Sequence, residues 1–154
     1  LSLALVGQPT IRQCALDLLA RREHSQQELS TKLQSRGYEN TAISLLLAEL
    51  ATTNLQSDQR FAEAYTQRRT NKGFGPLCIQ AELQQRGIAG EIIQDLIIVN
   101  DEFWLEQAKK VRQKKFGALI PKDFKTQVRQ MRFLQSRGFS GAQIKQLLQN
   151  RFYD

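Results

Sequence analysis

Apolar residues recur along this chain at intervals of three and four, the spacing of one helix face, and nowhere in the strict alternation of a half-buried strand. The pattern itself repeats. Leu33-Gln34-Ser35-Arg36-Gly37 returns as Leu83-Gln84-Gln85-Arg86-Gly87 and again as Leu134-Gln135-Ser136-Arg137-Gly138. After each glycine comes a large apolar residue (Tyr38, Ile88, Phe139), then an isoleucine (Ile43, Ile93, Ile144), then an aliphatic pair (Leu46 and Leu47, Leu96 and Ile97, Leu147 and Leu148). This spacing predicts a helix that ends at Arg36, Arg86 or Arg137, where a cation suits the C-terminal dipole. A left-handed turn at Gly37, Gly87 or Gly138 follows, then an apolar anchor and a new helix.

Helix starts fall where the repeat requires them. Ser25-Gln26-Gln27-Glu28 reads as a capping box, and Gly75-Pro76 places proline at a first helical position. A further helix precedes each pair, marked by Ile11, Ala15, Leu18 and Arg22, by Phe61, Tyr65 and Arg69, and by Trp104, Ala108 and Val111. The spacing of Phe61 and Tyr65 makes them core residues first. In the third repeat Gly117 to Pro121 forms a longer connection.

The predicted fold is all-α: three tandem three-helix repeats forming an elongated, curved helical array. Their expected bounds are 10–56, 57–100 and 101–154. Residues 1–9 read as an N-terminal extension, truncated or tag-derived. No stretch is apolar and long enough to span a bilayer, so a cytoplasmic protein without membrane contact is expected, as a monomer. Cys14 and Cys78 read as small apolar side chains in a reducing compartment.

Charge separates the repeats. Residues 1–56 and 57–100 each carry five basic and five acidic side chains, whereas residues 101–154 carry twelve and five, so the whole excess of +7 lies in the last third. It contains Lys109, Lys110, Arg112, Lys114 and Lys115, then Lys125, Arg129 and Arg132, which form a stripe down one helix beside Phe124, Val128 and Met131. Arg68, Arg69 and Lys72 form a smaller cluster in the second repeat. These residues are the expected basic face, fit for an acidic protein surface or for phosphate. Sparse aromatics and the lack of an RNA-binding or zinc-finger signature give sequence-specific base reading little support, so any contact with single- or double-stranded DNA should be mainly with phosphate and non-specific.

Catalysis finds no support. Lys72-Gly73-Phe74-Gly75 lacks the spacing of a phosphate loop, and the only histidine, His24, has no imidazole or cysteine pair nearby to make a metal site. Single carboxylates such as Asp58, beside Ser57, read as helix caps. No enzyme, metal or cofactor is predicted.

Ser57-Asp58-Gln59-Arg60-Phe61-Ala62, followed by Tyr65, Arg69, Lys72 to Pro76, Ile79, Glu82-Leu83 and Arg86-Gly87-Ile88, resembles the central signature of the RecX family. The resemblance extends to Arg22–Leu29, Lys114–Gly117 and Arg132–Phe139, and covers roughly residues 11 to 152. It implies a non-catalytic modulator that binds within the groove of the RecA filament on DNA. Such a protein limits filament extension, ATP hydrolysis, strand exchange and the co-protease activity behind the SOS response. Residues 1–9 lack the basic leader common in that family. The alternative reading is a helix-turn-helix-like protein that binds DNA directly.

Overall fold

The computed structural model describes residues 9–97 and 100–149, and the described residues are helical without strands. The expected extension, except Pro9, and the chain after Gln149 lie outside them. In order the helices are α1 (Ile11–Arg21), α2 (Gln26–Ser35), α3 (Asn40–Thr52), α4 (Asp58–Asn71), α5 (Pro76–Gln85), α6 (Gly90–Ile97), α7 (Asp101–Phe116), α8 (Phe124–Ser136) and α9 (Gly141–Gln149). They gather into two compact units, divided within α4. The first holds residues up to Ala64 with the turn Arg86–Ile88; the second holds Tyr65–Gln85 and the chain from Ala89.

The first unit is built on Cys14, Ala15, Leu18, Leu29, Leu33, Ile43, Leu46, Leu47 and Leu50, with Tyr38 packed against them. Burying each leucine or isoleucine contributes roughly 1.5–3 kcal/mol. Capping fixes the helix starts. Thr10 and Ser25 each accept the backbone N–H three residues on, while Gln13 and Glu28 reach back to the cap amides. Such a cap stabilises by about 1 kcal/mol. Burial alone would raise the Glu28 carboxyl, but the Arg22 guanidinium and the Ser25 amide outweigh it and hold the group below its usual range.

His24, just before the Ser25 cap, is buried. Its Nδ1 donates to the Arg22 carbonyl at 3.0 Å and its Nε2 accepts from Lys32 at 3.0 Å. Burial, with the charges of Arg22 and Lys32, lowers its pKa, and the bond to the Arg22 carbonyl offsets this only in part.

Much of the signature stretch stitches this same corner. Ser57 caps α4 by accepting from the Arg60 amide. Asp58, expected to cap locally, instead accepts from the amide of Gln26 at the start of α2 and from Gln56. Arg60 reaches Glu23 at 2.9 Å and both oxygens of Asn54.

In the second unit α7 packs on α8 and α9, and α5 on α6. Trp104 is buried and donates its indole N–H to the Ile97 carbonyl at 2.7 Å. Phe139, Ile144, Leu134 and Ala108 are buried as well. The face of α8 turned inward carries Gln130 and Leu134; Val128 and Met131 are half-buried and Phe124 is exposed, so the expected apolar stripe of this helix is not its core face. The residue that continues the buried row of α7 is Arg112, with Val111 half-buried beside it.

Gly37, Gly87 and Gly138 all have positive φ, at 91°, 80° and 96°. At the first and third, bonds from Tyr38 to Leu33 and from Phe139 to Leu134 close the helix end in a Schellman turn. Two of these turns also dock on a helix start. Within the first unit, a Cβ on Gly87 would stand 2.5 Å from the side chain of Gln27, near the start of α2. Within the second, the carbonyls of Arg137 and Gly138 accept from the amides of Gly75 and Leu77, at 2.6 and 2.9 Å. A backbone turn thus caps the start of α5.

Candidate functional site

The second unit contains a cleft of about 540 Å³ where the ends of α4, α7 and α8 converge. α4 closes in its own Schellman turn, with Gly73 bonded to the Thr70 carbonyl and Phe74 to that of Arg69, which sets Lys72 at the rim. α7 presents Lys110 and Lys114, one turn apart, with Lys115 beside them, and α8 contributes Phe133 and its C-cap Arg137. Five cationic side chains therefore line the cleft, and among the described residues no carboxylate or imidazole does.

Aromatic rings hold several of these cations. The Arg137 guanidinium lies 5.0 Å from the centre of the Phe74 ring and 5.1 Å from that of Phe133, and the Lys115 ammonium lies 5.6 Å from Phe133. Phe133 is in turn fixed edge-on against Phe116 at 5.3 Å. Phe74 also receives Arg69, 3.7 Å from its centre, while Arg69 makes a forked ion pair with Glu82 at 2.7 and 3.1 Å. A cation over a ring contributes about 0.5–1 kcal/mol at exposed sites. Its larger effect here is to limit where the charge can go.

The cations expected on one basic face are thus distributed. Lys72, Lys110, Lys114 and Lys115 come together in the cleft. Lys109, Lys125, Arg129 and Arg132 are exposed and do not line it. Arg68 is exposed on α4, 5.2 Å from the Tyr65 ring, and Arg69 is tied to Glu82. Arg112 must be removed from the set: it is 1% exposed, and its guanidinium donates to the carbonyls of Ala118 and Leu119, bracing the connection that follows α7. A buried charge is kept by such bonds, so it is not on offer to a partner.

Arg137 is the residue that sequence reasoning placed only in a turn. Its position as C-cap puts the side chain at the mouth of the cleft, and nothing local in the sequence marks that second role. For Arg112 a signal existed: with Trp104 and Ala108 it completes a row at i, i+4 and i+8.

Among the described residues no group of three or more His, Cys, Asp or Glu could hold a metal ion. Nor is any of the described helices long and apolar enough to cross a membrane. Cys14 and Cys78 are free thiols. Burial, with the nearby Glu82 carboxylate, pushes the Cys78 thiol up, away from nucleophile chemistry. The arrangement can bind an anion.

Comparison with known proteins gives a consistent pattern. Three family models match the chain in order: RecX, first three-helix domain, at residues 12–50; RecX, second three-helix domain, at 57–97; and RecX, third three-helix domain, at 101–148. The chain is 42% identical over 135 residues to the regulatory protein RecX of Halorhodospira halophila, covering 88% of this chain and 84% of that one. It is 40% identical over 144 residues to the regulatory protein RecX of Pseudomonas putida, covering 94% and 92%. Its fold is similar to the crystal structure of RecX from Lactobacillus salivarius, with a TM-score of 0.79 at 24% identity over 94% of this chain and 96% of that one.

Proposed function

The chain belongs to the RecX family of regulatory proteins, and on that premise we propose that it is a non-enzymatic modulator of the RecA recombinase. It binds in the groove of the RecA–DNA filament and limits filament extension. ATP hydrolysis, strand exchange and the SOS co-protease activity fall as a consequence. The observation that carries this reading is the succession of all three RecX domains along one chain. We place it in the cytoplasm as a monomer.

The charge distribution supports an anionic partner. The exposed row Lys125, Arg129 and Arg132 and the cleft lysines all belong to the helices that carry the net excess or face them. A filament on DNA offers both acidic side chains and phosphate, so these contacts weaken as salt rises.

Direct reading of duplex DNA by the helices after each turn has less support. α3 and α6 contain no lysine or arginine and α9 contains Lys145 alone, whereas a recognition helix in a groove depends on such side chains for base and phosphate contacts.

The test is the rate of ATP hydrolysis by RecA on single-stranded DNA as this protein is added. The rate is expected to fall and to saturate. An unchanged rate at saturating protein, with sequence-selective duplex binding in a parallel titration, would replace the modulator reading with the DNA-binding one.

A further inference from the structure

The cleft where α4, α7 and α8 end has a charge that helix capping does not use up. Each helix C-terminus carries roughly half a negative charge, so three of them account for about one and a half. The lining supplies five cations. An excess of roughly three and a half positive charges is left inside one concavity. Among the described residues none of Lys72, Lys110, Lys114 and Lys115 takes part in an ion pair.

Two further features single the cleft out from the exposed rows of lysine and arginine. Its volume, about 540 Å³, lies in the range of small-molecule pockets, roughly 300–1,000 Å³. Its wall includes Thr70, which is 8% exposed and whose hydroxyl has no hydrogen-bond partner among the described residues. A buried hydroxyl without a partner costs about 1–3 kcal/mol, which an acceptor oxygen at this wall would relieve. Moreover, Phe133 holds Lys115 and Arg137 near the positions they would occupy against a ligand, which lowers the ordering cost of binding.

We propose that this cleft binds a compact polyphosphate, the triphosphate of a nucleotide being the source of matching size and charge. The inference goes beyond the modulator reading and does not rest on it. Three linked phosphates carry between three and four negative charges at neutral pH, which matches that excess. A nucleic-acid strand bears the same phosphate chemistry, but spreads it along a track rather than concentrating it in a pocket.

The experiment is calorimetric titration of the full chain, without RecA or DNA, using inorganic tripolyphosphate, ATP, AMP and a long oligothymidylate in turn. Tripolyphosphate and ATP are expected to bind with one-to-one stoichiometry and similar affinity, and AMP at least about tenfold more weakly. The double variant Lys110→Gln/Lys114→Gln should lose at least about tenfold in affinity for tripolyphosphate, while Lys125→Gln/Arg129→Gln, outside the cleft, keeps it. Thr70→Val should weaken binding without changing the thermal midpoint by more than the Gln variants do. Equal losses from both double variants would reduce the site to diffuse surface charge and overturn the proposal. So would silence from tripolyphosphate while the oligothymidylate binds through Lys110 and Lys114, which would assign the cleft to an extended strand. Inhibition of RecA is not read in this experiment, so a failure here leaves the modulator reading where it stands.

Discussion

Gly138→Ala should destabilise the second unit far more than Gly117→Ala, although both glycines sit at positive φ, 96° and 85°. At Gly117, where ψ is 179°, alanine enters a region all but reserved for glycine, and a positive φ strains it at Gly138 too; such strain costs about 1–3 kcal/mol. At Gly117 that is the whole effect, because a Cβ there meets nothing within 4 Å. At Gly138 the added carbon would stand 2.6 Å from the backbone nitrogen of Cys78 and 2.7 Å from its Cβ and Sγ. A backbone atom cannot swing aside, so the turn must retreat from α5. Overpacking of this kind costs about 1–3 kcal/mol. Retreat also stretches the bonds from Gly75 to Arg137 and from Leu77 to Gly138, each contributing about 1 kcal/mol. With each of the two bonds weakened by about half rather than lost, the expected difference between the variants is about 2–4 kcal/mol. Trp104, the only tryptophan, is buried in the same unit, so its fluorescence during urea unfolding reports the right transition. Hydrogen exchange at the Gly75 and Leu77 amides should accelerate in Gly138→Ala alone. Equal midpoints for the two variants would refute the claim that this turn caps α5.

Three other outcomes follow from the structure. As pH falls below the ordinary imidazole value of 6.5, unfolded His24 takes up a proton that the folded protein resists, so stability should drop from there towards the lowered folded value, by at most about 1.4 kcal/mol per pH unit for one proton. Glu28, held low, adds a loss in the same direction at lower pH still. Urea midpoints across this range should show the slope, and His24→Gln should flatten its upper part; an unchanged slope would exclude His24 as its source. Arg112→Leu should leave the salt dependence of filament binding unaltered while speeding proteolysis at residues 118–122, since its guanidinium braces that connection; a shift in salt slope as large as that of Lys114→Gln would return Arg112 to the partner-facing set. Reversing Lys125, Arg129 and Arg132 to glutamate should weaken filament binding and lessen its salt dependence with the helical circular dichroism intact. Full affinity in that variant would mean the row serves solubility.

What could be read directly from the sequence was local. A Leu-x-x-x-Gly turn with an apolar anchor, a capping box at Ser25 and a proline at the start of α5 all act within a few residues, and the all-helical repeat follows from them. The site was legible only in part because it is assembled from distant helix ends. Lys110 and Lys114 announce a basic helix face, but nothing near Lys72 or Arg137 in sequence says that α4 and α8 finish beside it. Asp58 and Arg60 show the same limit: in sequence they read as solvent-facing polar side chains, and their partners, Gln26 and Glu23, lie in the preceding repeat. Phe124 erred the other way, since helical spacing marks it as apolar but cannot say which neighbour, if any, will cover it.

The docking of the Gly138 turn on α5 also sets an order on synthesis. The chain emerges N-terminus first, so α5 leaves the ribosome with the amides of Gly75 and Leu77 unanswered by protein and keeps them so until α8 and its turn have followed. The start of α8 carries its own stop, the side chain of Asp123 accepting from the Thr126 amide and hydroxyl. The second unit is thus completed backwards: the third repeat, made later, supplies the finishing contact for the one made before it. A nascent chain arrested short of Gly138 would leave the Gly75 and Leu77 amides to water.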